Sequence, residues 1–191
     1  MTRIRSHFEE SARLANDLLG DATFLDSMEK GADVLIDALR KDAKILSCGN
    51  GGSMCDAMHF AEELSGRYRD DRPPLAALAL SDVSAMTCVG NDYGFDQVFA
   101  RQVQALGRPG DVLLAISTSG NSSNILEACR AAKAAGMHVV SLTGKGGGAL
   151  RPMADVDVCV PWSGYADRIQ EVHIRCIHSW IDAIEQALTQ G

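Results

Sequence analysis

The sequence predicts an α/β protein with a doubly wound, flavodoxin-like sheet of five parallel strands, the middle layer of a three-layer αβα sandwich. Short apolar runs alternate with segments of helical periodicity, which implies right-handed crossovers and a parallel sheet. The runs are apolar at successive positions, as is typical of strands buried on both faces. Glycine- or serine-rich turns follow three of the runs, where open parallel sheets bind their ligands.

An N-terminal helical pair precedes the sheet. Apolar residues recur at helical spacing through residues 3–41, and Gly20 and Asp21 divide this stretch into two helices, with Asp21 as a candidate N-cap. The predicted strands are Lys44–Cys48, Leu75–Leu80, Asp111–Ile116, Met137–Leu142 and Val156–Val160. The remaining helices are predicted at 54–66, from a Ser81-Asp82 cap to Val89, at 95–106, at 123–135 with Gly136 just beyond, and at 164–189, with a loop over 91–94.

The length of 191 residues is that of one domain. We therefore expect a single domain over 1–191. Its helical N-terminus would occupy 1–41, and its α/β core, ending in a long helix, would occupy 42–191.

Charge and composition exclude several classes of function. The formal charge of −7 argues against non-specific nucleic-acid binding, but not against anionic ligands, which helix-start N–H groups can hold. The N-terminus lacks the apolar core of a signal peptide, and no apolar run approaches the roughly 20 residues that span a bilayer. We expect a cytoplasmic protein without nucleic-acid or membrane partners. Its six cysteines should be reduced, since no secretory signal is found, and a cysteine zinc site is not expected, since none forms a C-x-x-C pair.

A glycine-rich turn follows the first strand and leads directly into a helix. Its glycines let the backbone approach a ligand closely, and the helix start presents free N–H groups. The pattern is neither G-x-G-x-x-G nor a P-loop, so ATP or NAD binding is unsupported. A purely structural turn is the alternative. The turn consists of Gly49, Asn50, Gly51, Gly52 and Ser53.

A hydroxyl-rich turn lies between the third strand and the next helix. Hydroxyls together with helix-start N–H groups fit a phosphate monoester. An ordinary helix cap is the alternative, but a cap needs only one hydroxyl, and this turn has four. The turn consists of Ser117, Thr118, Ser119, Gly120, Asn121 and Ser122.

The helix after the glycine-rich turn carries His59 and Glu63, which share one face because they are four residues apart. Such a pair can bind a divalent metal from one side, or provide a base beside an orienting imidazole. A surface His–Glu pair is the alternative.

The last helix carries a second pair of candidates. Gln170 and His178 lie two turns apart on roughly the same side. Glu171 and His173 are neighbouring alternatives, and a histidine on an apolar helix can also be purely structural.

Seven segments occur in order between about residues 40 and 180. They are SCGNGGS at 47–53, DAMHFAEEL at 56–64, GRY at 66–68, GND at 90–92, ISTSGNS at 116–122, LTGKGG at 142–147 and GYADRIQEVHI at 164–174. This set resembles the phosphoheptose isomerases of the sugar isomerase (SIS) domain superfamily. The serine-rich turn marks the superfamily, and His59 and Glu63 combined with Gln170 and His178 point to the isomerases.

The resemblance implies a ketose–aldose isomerase. Its reaction would convert sedoheptulose 7-phosphate to D-glycero-D-manno-heptose 7-phosphate through a cis-enediol, the first step towards ADP-heptose and the lipopolysaccharide core. Such a reaction needs a base for a C–H proton, an acid for the oxygen and stabilisation of the enediolate. The resemblance assigns Glu63 as the base and His178 as its acid partner.

The resemblance also implies contacts with the substrate. Residues expected at the phosphate are Ser117, Thr118, Ser119 and Ser122. Residues expected along the sugar chain are Asn50, Gly51, Gly52, Ser53 and Gln170, with Asn91, Asp92 and Asp167 at its hydroxyls. Arg67 is a further candidate, at a contact between subunits, with a plain surface charge as the alternative.

A metal and an assembly follow from the same resemblance. Family members carry zinc on residues that match His59, Glu63, Gln170 and His178, where the ion would polarise the carbonyl and the enediolate. We expect one ion per subunit, at partial occupancy because an amide is a weak ligand. A carboxylate that binds a metal is a weaker base, which conflicts with the role of Glu63 as the base, so the ion could be either catalytic or structural.

The implied assembly is a homotetramer with sites between subunits.

Three other functions stay open at this stage. One is a non-catalytic SIS-domain scaffold that binds a replication initiator, which would have no need for the two helix pairs together. Another is the sugar-phosphate-sensing domain of a transcription regulator. Such a domain normally comes with a DNA-binding module, for which a chain of this length leaves no room. The third is an isomerase of another phosphosugar, such as a pentose or hexose.

Overall fold

The computed structural model describes residues 2–189, and its elements follow the predicted order. The helices are α1 (Arg3–Leu19), α2 (Ala22–Arg40), α3 (Gly52–Ser65), α4 (Val83–Tyr93), α5 (Ala100–Leu106), α6 (Ser123–Ala134) and α7 (Ala166–Thr189). The strands are β1 (Ile45–Gly49), β2 (Ala77–Ala79), β3 (Val112–Ser117), β4 (His138–Gly144) and β5 (Val156–Val160). Short 3₁₀ turns span Phe95–Gln97 and Arg151–Met153. Met1, Gln190 and Gly191, which the domain prediction includes, lie outside the described residues, and the single-domain assignment stays a prediction.

The five strands form one parallel sheet in the order β2-β1-β3-β4-β5. This order confirms the predicted flavodoxin-like winding. It reverses direction between β1 and β3, the switch point at which such sheets bind ligands. The glycine-rich turn after β1 and the serine-rich turn after β3 therefore border the same crevice.

Two apolar cores cover the sheet, because successive strand side chains point to opposite faces. On one face, Ile45 and Leu114 pack with residues of α1, α2, α3 and α7. On the other face, Leu46 and Leu113 pack with residues of α5 and α6. The three-layer sandwich is confirmed, and α3 and α7 share one layer.

Local capping chemistry fixes several helix ends as predicted. The Asp21 carboxylate accepts a hydrogen bond from the backbone N–H of Phe24 at 3.0 Å and starts α2. Asp82 caps α4 in the same way through Ala85, at 2.7 Å. Gly136 lies just beyond α6 with a φ of +74°, the left-handed conformation that glycine adopts without strain.

The structure corrects several predicted boundaries, among them the second strand, which spans Ala77–Ala79 rather than 75–80. The loop expected over 91–94 is wrong, because α4 continues to Tyr93 and ends only where Gly94 takes a φ of +90°. The helix expected over 95–106 is divided into a 3₁₀ turn and α5. Helix α3 starts at Gly52 rather than at residue 54, because the carbonyls of Asn50 and Gly51 already accept the first turn's N–H groups.

Two further expectations concern the chain as a whole. Within residues 2–189, no helix combines the length and the hydropathy needed to cross a bilayer. All six cysteines are free thiols.

Candidate active site

Helices α3 and α7 run side by side in the same direction, and the predicted helix pairs meet along their contact. A Cβ atom built on Gly52 at the start of α3 would lie 2.6 Å from Nε2 of Gln170, so the backbone there packs directly against this side chain. Two turns further along α3, Nε2 of His59 lies 2.9 Å from Nε2 of His178. The structure thus brings together residues that are far apart in the chain.

A cluster of ionisable groups surrounds His59. Its Nε2 lies 3.5 Å from Oε1 of Glu63, and its Nδ1 lies 3.4 Å from Oε1 of Glu62. The Glu63 side chain is only 16% exposed, whereas that of Glu62 is 65% exposed. The sequence-based reasoning missed Glu62, although its i+3 spacing from His59 could have indicated it. We call His59, Glu62, Glu63 and His178 the histidine cluster.

The environment of His178 favours its neutral form. Partial burial lowers its pKa, the neighbouring His59 and Arg69 lower it further, and Glu63 opposes them. The ring of Tyr68 stacks on the imidazole with centroids 5.8 Å apart. A neutral imidazole can accept a proton or ligate a metal at neutral pH.

The donor set of the cluster suits a zinc ion. Zinc bonds of about 2.0–2.1 Å place the ligand atoms of a tetrahedral site roughly 3.3 Å apart. The separations of 2.9 Å from His59 to His178 and 3.5 Å from His59 to Glu63 lie on either side of that value. His59, Glu62 and Glu63 also offer ligand atoms that lie within 4.8 Å of one another. No hydrogen bond among the described residues joins Gln170 to this group, and its place among the ligands stays a prediction.

The serine-rich turn has the features of an anion site. Oγ of Ser117 and Oγ of Ser122 lie 3.1 Å apart, and Ser122 occupies the N-cap position of α6 without capping it by its side chain. The helix start therefore keeps N–H groups for an anion. Thr118 and Ser119 are half-buried beside them.

A second glycine-rich segment, after β4, packs against the serine-rich turn. Gly120 takes a φ of +64°, and a Cβ atom on it would lie 2.0 Å from the carbonyl oxygen of Gly147. The backbone N–H of Leu150 donates to the Gly120 carbonyl at 2.9 Å, and that of Ala149 donates to the Asn121 side chain at 3.0 Å. The two turns are thus packed backbone against backbone.

At the switch point, a reciprocal amide pair joins the glycine-rich turn after β1 to the first turn of α6. Nδ2 of Asn50 donates to Oδ1 of Asn124 at 2.9 Å, and Nδ2 of Asn124 donates to Oδ1 of Asn50 at 2.8 Å. Asn124 is 2% exposed. The structure therefore gives the Asn50 amide a partner within the protein, and its contact with substrate stays a prediction. Asn124 was missed, because no local pattern marks a partner 74 residues away.

Four further predicted residues, Asn91, Asp92, Asp167 and Arg67, are exposed. Asn91 and Asp92 are exposed on the last turn of α4, where Nδ2 of Asn91 donates to Oδ1 of Asp92 at 2.7 Å. Asp167 in the first turn of α7 and Arg67 after α3 are exposed as well. Within residues 2–189, no hydrogen bond or ion pair joins these four to the cluster, and their contacts with substrate stay predictions.

Comparisons with known proteins agree with this fold. The SIS domain family profile matches residues 8–144. A phosphoheptose isomerase of Vibrio parahaemolyticus is 56% identical over 97% of both chains. The structure of phosphoheptose isomerase from Neisseria gonorrhoeae superposes with a TM-score of 0.90 at 47% identity, over 96% of this chain and 97% of that one. That from Francisella tularensis gives 0.91 at 41% identity, over 97% and 100%.

The fold and these matches define a sugar-phosphate isomerase with an SIS domain. Within that class the chain belongs to the family of the phosphoheptose isomerases, to which it is similar over nearly its whole length.

Proposed function

We propose that the protein converts sedoheptulose 7-phosphate to D-glycero-D-manno-heptose 7-phosphate. The observation that carries this proposal is the meeting of His59, Glu63 and His178 on the shared face of α3 and α7. A non-catalytic scaffold would have no use for a largely buried carboxylate held beside two imidazoles. The names of the relatives support the choice of a seven-carbon sugar phosphate.

The proton transfers can be assigned to residues of this site. Glu63 removes a proton from C1 of the ketose, and His178 donates a proton to the C2 oxygen, which becomes a hydroxyl in the cis-enediol. His178 then takes the proton of the C1 hydroxyl while Glu63 returns a proton to C2, which completes the aldose. Because Glu63 is largely buried, its carboxylate is partly shielded from water, which suits a group that returns the same proton.

Phosphate recognition falls to the serine-rich turn. Its four hydroxyls and the start of α6 would hold the phosphate and so orient the far end of the sugar. The Asn50–Asn124 pair keeps this turn in register with the glycine-rich turn after β1. Binding energy from the phosphate can thus be used to position the reacting carbons.

We also propose one zinc ion per subunit at the histidine cluster, with His59, Glu63, His178 and Gln170 as its ligands. When bound, zinc would polarise the carbonyl and stabilise negative charge on the enediolate. Partial occupancy is expected, because the amide of Gln170 is a weak ligand.

The cellular setting belongs to the same proposal. We propose a cytoplasmic homotetramer with sites between subunits, which supplies the heptose of lipopolysaccharide. Exposed apolar side chains on α1 support an assembly, since Ile4 is 69% and Phe8 is 74% exposed. Arg67, exposed and without a partner among residues 2–189, would serve such a contact.

An NMR assay tests the proposed reaction. The purified protein is incubated with sedoheptulose 7-phosphate in D₂O, with added zinc, with a chelator, and with neither. We expect the aldose 7-phosphate, with some deuterium at C2 because the enediol's carbon proton can exchange with solvent. No conversion under any metal condition by folded protein would overturn the proposal. Conversion of a pentose or hexose phosphate instead would redirect it.

A further inference from the structure

A buried arginine, Arg72, contacts both helices that carry the histidine cluster. Arg72 ends the segment over 66–72 that follows α3, and its side chain is only 2% exposed. None of the proposed chemistry uses it directly. Burying a guanidinium is costly unless each of its donors finds a partner, so the contacts of Arg72 indicate a structural or positioning role.

One side of this guanidinium holds the end of α3. Its Nη2 donates to the carbonyl of Glu63 at 2.7 Å, and its Nη1 donates to the carbonyl of Leu64 at 2.8 Å and to that of Pro73 at 3.2 Å. Carbonyls at a helix end lack partners within the helix, and a cation there is also favoured by the helix dipole. Arg72 therefore fixes the backbone of the residue that we assign as the base.

The other side holds α7. Nε of Arg72 donates to Oε1 of Glu185 at 2.8 Å, and the Glu185 side chain is 8% exposed. Glu185 lies two turns beyond His178 on α7. The Arg72–Glu185 pair therefore connects the helix that carries Glu63 to the helix that carries His178.

The segment between the two helices is held as well. The backbone N–H of Arg69 donates to Oε2 of Glu185 at 3.4 Å, and Nη1 of Arg69 donates to Asp182 at 2.7 Å. The Arg69 guanidinium lies 5.3 Å from the ring centroid of Tyr68, which in turn stacks on His178. The same contacts thus also hold the aromatic ring that covers one face of His178.

We propose that Arg72, together with Glu185, is a positioning residue that sets the spacing between Glu63 on α3 and His178 on α7. This inference rests on the proposed isomerase function. The pair does not act through charge alone, because the planar fork of the Arg72 guanidinium donates two hydrogen bonds to carbonyls at the end of α3 and one to Glu185 on α7. Lysine keeps the charge but cannot reproduce that fork.

Arg72→Lys and Glu185→Gln test the proposal, with Asp111→Asn as the matched control. Asp111 forms another largely buried ion pair, with Lys44 at 2.5 Å, but at the amino ends of β1 and β3. We expect Arg72→Lys to lower kcat about 10- to 100-fold, as misplaced catalytic groups do, while KM stays within about twofold because the serine-rich turn is untouched. Asp111→Asn should lower the melting temperature and leave kcat unchanged.

Hydrogen–deuterium exchange gives a readout that does not depend on activity. The amides of residues 59–66 should exchange faster in Arg72→Lys than in wild type, and at the wild-type rate in Asp111→Asn. If Arg72→Lys fails to fold, Glu185→Gln takes its place, since it keeps the shape and one acceptor oxygen.

Several outcomes would overturn the positioning role. These are a wild-type kcat in the folded variant, an equal loss of kcat in Asp111→Asn, or unchanged exchange over residues 59–66. If wild-type protein itself fails to isomerise the heptulose phosphate, the proposed function is lost. The exchange data then decide alone whether Arg72 holds the two helices.

Discussion

The Nε2 atoms of His59 and His178 lie 2.9 Å apart, although 119 residues separate them in the chain. Two imidazoles at this distance share one hydrogen bond, and two positive charges there would repel each other. Burial is the largest cause of the lowered pKa of His178, and the neighbouring His59 is the next. The neutral imidazole of His178 is therefore suited to exchange a proton or to ligate a metal, with Glu63 beside it.

Replacing Glu63 by Gln should abolish turnover and leave the fold intact. The amide keeps the size of the side chain but cannot accept a proton from carbon, so we expect kcat to fall by about 10²–10⁴ or more. Steady-state kinetics with sedoheptulose 7-phosphate measure the effect. Glu127→Gln makes the same change on α6 and should behave as wild type. Turnover near the wild-type rate in Glu63→Gln would remove Glu63 from the role of base.

Replacing His178 by Gln should reduce turnover and weaken metal retention together. The substitution removes one of the imidazole nitrogens of the proposed zinc site, and an amide is a poorer ligand. Elemental analysis after dialysis against a weak chelator would measure zinc per subunit for the variant and for wild type. An unchanged zinc content would argue against ligation by His178, whatever happens to kcat.

Features set by local chemistry could be predicted from the sequence. Asp21 and Asp82 start helices because a carboxylate after a non-helical residue can accept the free N–H groups of the first turn. The pairing of His59 with Glu63 follows from helical spacing alone. A parallel sheet follows from alternating strands and helices with right-handed crossovers, whereas this alternation alone does not fix the strand order.

Contacts between distant segments could not be predicted in this way. Asn124 and Arg72 have partners 74 and 113 residues away, and their own surroundings in the sequence contain nothing that marks them. The association of His178 with His59 came only through the family resemblance. The Asn91-Asp92-Tyr93 stretch misled because its residues favour turns, yet a helix that has started continues until Gly94 ends it.

Stability should decrease as the pH falls below about 6.5, because His173 is buried in its neutral form. Its side chain is fully buried, Nε2 faces the carbonyl of Thr143 at 3.0 Å, and burial lowers its pKa to about 4. Since the folded-state pKa lies below the unfolded value of about 6.5, protonation favours unfolding. The contribution is complete above pH 6.5 and is lost as the pH falls through 4, by at most about 3 kcal/mol.

Urea denaturation between pH 7.5 and 4 would measure this dependence. His173→Gln keeps a donor for the Thr143 carbonyl but cannot titrate, so its stability should vary less over that range while being lower at pH 7. An equally steep profile in the variant would show that other groups cause the acid sensitivity.

The Asn50–Asn124 pair should show strong coupling in a double-mutant cycle. Either single replacement by Ala leaves one amide of the pair without its partner, which should cost about 1–3 kcal/mol in the free energy of unfolding. The double variant should be less destabilised than the sum of the two, by about 1 kcal/mol or more. Urea denaturation of the four proteins gives the coupling energy. Additive effects would show that the reciprocal hydrogen bonds contribute little to joining the glycine-rich turn after β1 to α6.

Alanine at Gly52 should mainly lower activity, whereas alanine at Gly120 should mainly lower stability. A methyl group on Gly52 would meet the flexible end of Gln170 at 2.6 Å, so this side chain can move away at little cost in stability. If Gln170 ligates the metal or the substrate, kcat/KM should fall about tenfold or more, as loss of supporting contacts does elsewhere.

At Gly120 the added methyl group meets backbone that cannot move in this way. The carbonyl oxygen of Gly147 lies 2.0 Å from the Cβ position, and the φ of +64° is itself strained for alanine. We expect Gly120→Ala to lower the free energy of unfolding by about 3 kcal/mol, and to weaken the binding of inorganic phosphate as the serine-rich turn moves. Thermal denaturation and phosphate titration of both variants test the contrast. Full activity in Gly52→Ala would show that Gln170 has no part in the reaction. Wild-type stability in Gly120→Ala would contradict the tight packing of the serine-rich turn against the glycine-rich segment after β4.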